Sequence, residues 1–129
     1  MKKWNIMTFT NEELSEIYRL AQAMAQADGK VTKEEIAVII LELQRFGVDQ
    51  NKAKVIIEMS EKMSYSEACQ IVSRMIPSEK RYVNSYLCAL IWADGNIDDS
   101  EMKLWSLITA ICDLPEMNIF EALDIMAKL

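Results

Sequence analysis

Apolar side chains recur every three or four positions along almost the whole chain, which is the period of one face of an α-helix. The stretch from Leu14 to Met24 illustrates the pattern, with Ile17, Leu20 and Ala21 between its ends. No stretch alternates apolar and polar residues as a half-buried strand does. The sequence therefore predicts an all-α fold.

Capping signals and helix breakers divide this pattern into about seven helices. Thr10 with Glu13 and Ser64 with Glu67 have the spacing of capping boxes, Gly47 is placed to end a helix, and Pro77 cannot continue one. The predicted helices cover about 11–27, 33–46 and 49–62, a short connector before Pro77, a fifth from about Ser78, a sixth through Cys112, and a last one that opens at 113–115 or at Asn118.

One turn occurs twice in the chain. Residues 27–35 begin with Ala-Asp-Gly and end with Glu, and residues 93–101 repeat that pattern 66 positions later without gaps. We interpret the chain as a single domain, 1–129, built from two repeat units, about 10–63 and 76–129, joined by the connector helix. We expect the two amphipathic units to pack against each other about a pseudo-twofold axis.

Each copy of the turn has the residues that end one helix and begin the next. A glycine suits the left-handed conformation at a helix end, a Thr or Asp caps the following helix, and a Glu three positions later completes a capping box. These residues are Gly29, Thr32 and Glu35 in the first copy, and Gly95, Asp98 and Glu101 in the second.

Asp28 and Asp94 are the unusual residues of the two turns. Each lies at the C-terminal end of a helix, where a negative charge is unfavourable by roughly 0.3 to 1 kcal/mol. A carboxylate that accepts hydrogen bonds from turn amides would compensate for this, and so would a bound cation. Both readings stay open, and the structural one is favoured.

Composition excludes several classes of function. The net charge is −6, which argues against binding to nucleic acid or anionic membranes. Histidine is absent, so Ser-His-Asp and Cys-His catalysis is excluded, together with the usual nitrogen ligands of zinc, copper and iron. No catalytic residues are predicted.

The expected setting is the cytoplasm. Neither a run of 18 apolar residues nor a signal peptide is visible, so no membrane insertion is expected. Cys69, Cys88 and Cys112 lie within apolar helical patterns and lack CxxC spacing. We interpret them as reduced, buried thiols.

The turn also matches the second half of an EF-hand loop, from its fifth to its twelfth position. Met24 and Gln26, and likewise Leu90 and Trp92, would occupy the first and third positions, where Ca²⁺ needs oxygen ligands, so an EF-hand is rejected. A weaker site for Mg²⁺, Ca²⁺ or Mn²⁺ survives, because these ions need only oxygen ligands. Its candidate ligands are Asp28, Glu35, Asp94, Asp98 and Glu101.

The paired turns resemble those of the TerB-like family of bacterial tellurite-resistance-associated proteins, from about Phe9 to the end of the chain. The acidic motif of that family falls on Asp28, Gly29, Glu35, Asp94, Gly95 and Glu101. The resemblance implies an all-α fold of about seven helices, a link to metal or other chemical stress, and a cation-related role for the acidic residues. Similar domains accompany J-domain co-chaperones, but the His-Pro-Asp motif is absent here.

The leading hypothesis is a non-enzymatic stress-response module that binds a partner protein, a divalent cation, or both, at the two acidic turns. A metal-dependent hydrolase or transferase that uses the same carboxylates is one alternative. A structural scaffold that self-associates is another. These readings differ in whether the carboxylates converge on an open pocket or point at backbone amides.

Overall fold

Seven α-helices make up the part of the chain that the computed structural model describes, which is residues 9–27, 29, 31–93 and 99–128. No strand occurs among these residues, and the predicted all-α fold is confirmed. The helices are α1 Asn11–Ala25, α2 Lys33–Arg45, α3 Gln50–Glu61, α4 Tyr65–Val72, α5 Pro77–Trp92, α6 Asp99–Ile111 and α7 Ile119–Ala127.

The predicted capping boxes of α1, α2 and α4 are present. At the start of α1, the Glu13 amide donates to Thr10 Oγ1 at 3.1 Å and the Thr10 amide donates to Glu13 Oε1 at 2.9 Å. The Asp49 side chain caps α3. Helix α5 begins at Pro77, one residue before the predicted start, because the first helical position does not need the amide hydrogen that proline lacks.

Helices α2 and α6 end in the same way. Gly47 has φ +74° and its neighbour Val48 donates its amide to the Leu43 carbonyl, which is the Schellman arrangement predicted from Gly47. Asp113 takes the corresponding place after α6, with φ +52°. Asp113 therefore ends α6, and Asn118 is the residue that caps α7.

Helix α5 lies at the centre of the fold. Each residue from 82 to 88 is buried, so no face of this segment contacts solvent. Helix α1 packs against α5 and also contacts α2, α3, α4 and α6, while α7 packs along α5. Within the predicted repeat units α1 contacts α3 and α5 contacts α7, but the twofold relation between the units stays a prediction.

Buried polar side chains of α5 join it to its neighbours. The Tyr82 hydroxyl donates to Glu42 Oε1 of α2, and Glu42 also accepts from the Arg45 guanidinium at 3.0 to 3.1 Å. Asn84 accepts from Trp105 Nε1 at 2.6 Å and donates to the Pro115 carbonyl at 2.7 Å. Asn84 thereby links α5, α6 and the segment that leads into α7.

Helix α2 carries two apolar side chains, Ile36 and Ile40, that are not buried in the core. These side chains are 46% and 49% exposed, whereas Glu35 and Glu42 of the same helix are buried. The apolar residues of α2 occupy more than one face, and only the face with Val38, Ile39 and the two glutamates packs inward. The other apolar face lies open at the surface.

We predict that Asn84→Ala lowers the free energy of unfolding by about 2 to 4 kcal/mol, since it leaves the Trp105 N–H and the Pro115 carbonyl without their buried partner. Urea unfolding followed by circular dichroism measures the change. Ser106→Ala, at an exposed position of α6, is the control and should change stability by less than about 0.5 kcal/mol. Equal effects of the two substitutions would contradict this role of Asn84.

Candidate functional site

The first acidic turn is built as a helix junction. Gly29 has φ +83°, and its amide donates to the Gln26 carbonyl at 2.9 Å. Glu35 is buried and accepts the Thr32 amide at 2.9 Å, while its own amide donates to Thr32 Oγ1 at 3.1 Å. One Glu35 carboxylate oxygen therefore caps α2. Asp28 lies outside the described residues.

In the second turn the structure describes only Glu101 of the predicted ligands, because Asp94 and Asp98 lie outside the described residues. Glu101 is the third residue of α6, as Glu35 is of α2, and its side chain is buried. Within the described parts of the chain, no three His, Cys, Asp or Glu side chains are close enough to hold a metal ion. The cation site stays a prediction.

Two apolar grooves lie on either side of the C-terminal half of α1. The α4/α6 groove, of about 480 Å³, and the α2/α3 groove, of about 280 Å³, share Gln26 just beyond the end of α1. The α4/α6 groove is lined by Leu20, Ala23, Gln26, Tyr65, Ser66, Cys69, Leu104, Leu107, Ile108 and Ile111. The α2/α3 groove is lined by Tyr18, Gln22, Ala25, Gln26, Val31, Ile36, Ile39, Ile40, Leu43, Ala53 and Ile57.

Large side chains in both grooves are accessible to solvent. Leu107 and Ile111 of the α4/α6 groove are 55% and 54% exposed, and Ile36 and Ile40 of the α2/α3 groove are half exposed. Exposed apolar side chains that line a groove together are typical of a protein-binding surface. The sequence reading missed this surface, because the same residues fit the apolar face of an amphipathic helix.

A larger groove, of about 840 Å³, lies between α6 and the segment that precedes α7. Its charged lining consists of Asp113, Glu116 and Glu121, and its floor includes Asn84 and Trp105. Those two floor residues are hydrogen-bonded to each other, and Lys80 binds Asp113 at 3.3 Å. The groove contains no predicted site residue.

Glu16 is a buried carboxyl group that the sequence reading did not single out. It is 0% exposed, and both oxygens lack a hydrogen-bond partner among the described residues. Burial, and then the charges of Glu12 and Glu13, raise the pKa of Glu16 from 4.5 to about 7. Its spacing of four residues from Leu20 was the available signal, since positions i and i+4 share a helix face.

We predict that Glu16 makes the protein less stable as the pH rises. The folded state keeps a proton on Glu16 up to about pH 7, whereas the unfolded chain releases it near pH 4.5. The free energy of unfolding therefore falls by about 3 kcal/mol between pH 4.5 and pH 7. Glu16→Gln removes this loss, so the stability of the variant relative to the unsubstituted protein should increase across that interval.

Urea unfolding below pH 4.5 and above pH 7 measures this difference. Glu58→Gln, at an exposed position of α3, is the matched control and should show no such trend. A difference between Glu16→Gln and the unsubstituted protein that is constant with pH would contradict the prediction.

Comparison with known proteins supports the fold and the predicted family. The sequence profile described as "Tellurite resistance protein TerB" matches residues 14–122. A crystal structure of a protein of unknown function, PG1108 from Porphyromonas gingivalis W83, is 41% identical to this chain. The match covers 96% of this chain and 100% of that one, with a TM-score of 0.83. No curated protein matches. With 109 consecutive residues inside the family profile, the chain belongs to the TerB family.

Proposed function

We propose that this TerB-family chain is a non-enzymatic, cytoplasmic stress-response module that binds a partner protein through the α4/α6 groove. A divalent cation at the Asp-Gly turns is the second ligand in this proposal. The observation that carries it is the set of exposed apolar side chains beside the C-terminal half of α1. Leu107 and Ile111 are four positions apart on α6 and present one apolar stripe to solvent.

The chemistry of the groove indicates the kind of partner. Its lining is almost entirely apolar, so a matching segment needs Leu, Ile or aromatic side chains along one helix face. The chain has a net charge of −6, which attracts positively charged segments and speeds their association. We therefore propose an amphipathic helix with a basic polar face as the occupant.

The use of the carboxylates argues against the enzymatic alternative. A catalytic metal site needs several carboxylates that converge on an open pocket. Glu35 is instead buried and hydrogen-bonded to the start of its own helix. The sequence also contains no histidine to act as a base, and TerB is not a known enzymatic family.

The helix proposal predicts binding of a synthetic amphipathic peptide with a leucine face and a lysine face. Titration into ¹⁵N-labelled protein should shift the amides around Leu107 and Ile111 in a saturable way. Leu107→Gln should weaken binding about tenfold, because it removes about 1.4 kcal/mol of apolar contact. Phe120→Gln, at a 77% exposed position that lines neither groove, is the matched control.

A second peptide, with glutamate in place of lysine, distinguishes the contribution of charge to binding from the contribution of apolar contacts. It should bind more weakly than the lysine peptide, and the difference should shrink as salt is added. Equal weakening by Leu107→Gln and Phe120→Gln would contradict the groove as the docking site. Saturation of the α2/α3 groove alone would assign the partner to the other side of α1 and would also contradict the proposal.

The cation part of the proposal is tested independently. Mg²⁺, Ca²⁺, Mn²⁺ and Zn²⁺ are titrated separately into labelled protein while the amides of Gly29 and Gly95 are followed. We expect the three hard cations to perturb these amides and Asp94→Asn to abolish the effect. If the carboxylates serve only as caps, millimolar metal leaves both amides unchanged, and Asp94→Asn alters stability with or without metal.

A further inference from the structure

One face of α2 presents apolar side chains to solvent. These exposed residues are Ile36, Ala37, Ile40 and Leu41, and we call them the α2 stripe. Their spacing places them along one side of the helix, because residues four positions apart share a helix face. Glu35 and Glu42 point the other way and are buried. Helix α2 therefore packs inward through one face and leaves the stripe open.

The α2 stripe is broader than the α2/α3 groove. Ile36 and Ile40 line that groove, whereas Ala37 and Leu41 do not. A ligand confined to the groove would leave the outer half of the stripe in water. A second helix that lies along α2 covers both halves, because apolar faces of paired helices contact each other over several turns.

We propose that two copies of this chain associate through the α2 stripe, with their α2 helices antiparallel about a twofold axis that passes between Ala37 and Ile40. None of the four stripe residues lines the α4/α6 groove, so this interface is separate from the partner site proposed above. The dimer also needs no cation.

The charge of this region favours a second copy as the occupant. The segment 31–62, which contains α2 and α3, has five basic and six acidic residues, and it carries only −1 of the net charge of −6. Two copies that meet here keep the rest of their negative charge away from the interface. A basic partner helix gains little attraction from a nearly neutral surface.

The residues at the two ends of the stripe favour the antiparallel orientation. Lys33 and Gln44 are both exposed, one turn before and one turn after the apolar residues. In the antiparallel pair, Lys33 of one copy lies opposite Gln44 of the other. A parallel pair would place the two Lys33 side chains together, and like charges repel. Antiparallel helices also bring opposite ends of their dipoles together.

The apolar area of the stripe matches the needs of a weak dimer. Leu41 is 61% exposed, and Ile36 and Ile40 are about half exposed. From these fractions, the stripe presents roughly 350 Å² per copy, as large as the patches that mark binding sites on monomers. Two copies then hide roughly 700 Å², which is about the apolar share of an interface of about 1,200 Å², the lower end of the standard size.

The experiment measures the oligomeric state of the purified full chain by analytical ultracentrifugation. Concentrations run from about 10 µM to 1 mM, because an interface at the lower end of the standard size gives weak association. We expect a reversible equilibrium between monomer and dimer with no larger species, since a twofold interface closes on itself. A monomer at every concentration would overturn the proposal.

Substitutions locate the interface. Ile40→Gln and Leu41→Gln should each weaken dimerisation about tenfold, because each substitution acts twice in a twofold dimer. Leu107→Gln, in the α4/α6 groove, and Phe120→Gln, on α7, also remove exposed apolar side chains and should leave the dimer unchanged. Circular dichroism establishes that each variant is folded. A dimer that survives both α2 substitutions, or that Leu107→Gln weakens equally, would overturn the proposal.

Gln44→Glu tests the orientation by a gain of affinity. In the antiparallel dimer the new carboxylate faces Lys33 of the other copy twice, so dimerisation should strengthen about twofold to tenfold at low salt. The gain should shrink as salt is added, and Lys33→Gln in the same chain should remove it. In a parallel dimer the two new carboxylates would meet each other. Weaker dimerisation of Gln44→Glu, or no change, would therefore contradict the antiparallel arrangement.

Discussion

The burial of α5 on all sides is the constraint on which the rest of the structure depends. A helix surrounded by protein has to satisfy its polar side chains internally, because an unpaired buried donor or acceptor costs about 1 to 3 kcal/mol. Tyr82 binds Glu42 of α2, and Asn84 binds both Trp105 of α6 and the carbonyl of Pro115. These bonds fix where α2, α6 and the segment before α7 lie around the central helix, and thus where the grooves open.

The helix boundaries could be predicted from local chemistry, whereas contacts between distant residues could not be predicted from the sequence. A capping box needs only two side chains three residues apart, so Thr10, Thr32 and Ser64 could be identified directly from the sequence. The Tyr82–Glu42 bond joins residues 40 positions apart. No periodicity specifies such a pair, because each partner also fits an ordinary exposed or half-buried helix position.

In the candidate site, too, only the residues with a local sequence signal could be predicted. The capping role of Glu35 followed from its position three residues after Thr32, and the structure confirms it. Glu16 was missed because a glutamate in an apolar series is normally read as a solvent-facing residue, and only the packing around α1 shows that it is fully buried.

The exposed apolar residues of α2 bear directly on function. Apolar residues are placed on the surface at a cost in solubility, and a helix that only completed the core would carry polar residues at the positions of Ile36 and Ile40. Helix α6 also has exposed apolar residues beside a buried face. Leu107 and Ile111 are exposed, whereas Trp105 and Ile108 pack into the core. Both helices follow an acidic turn, and both flank α1. The exposed apolar side chains of α2 and α6 therefore lie on two helices that both contact α1.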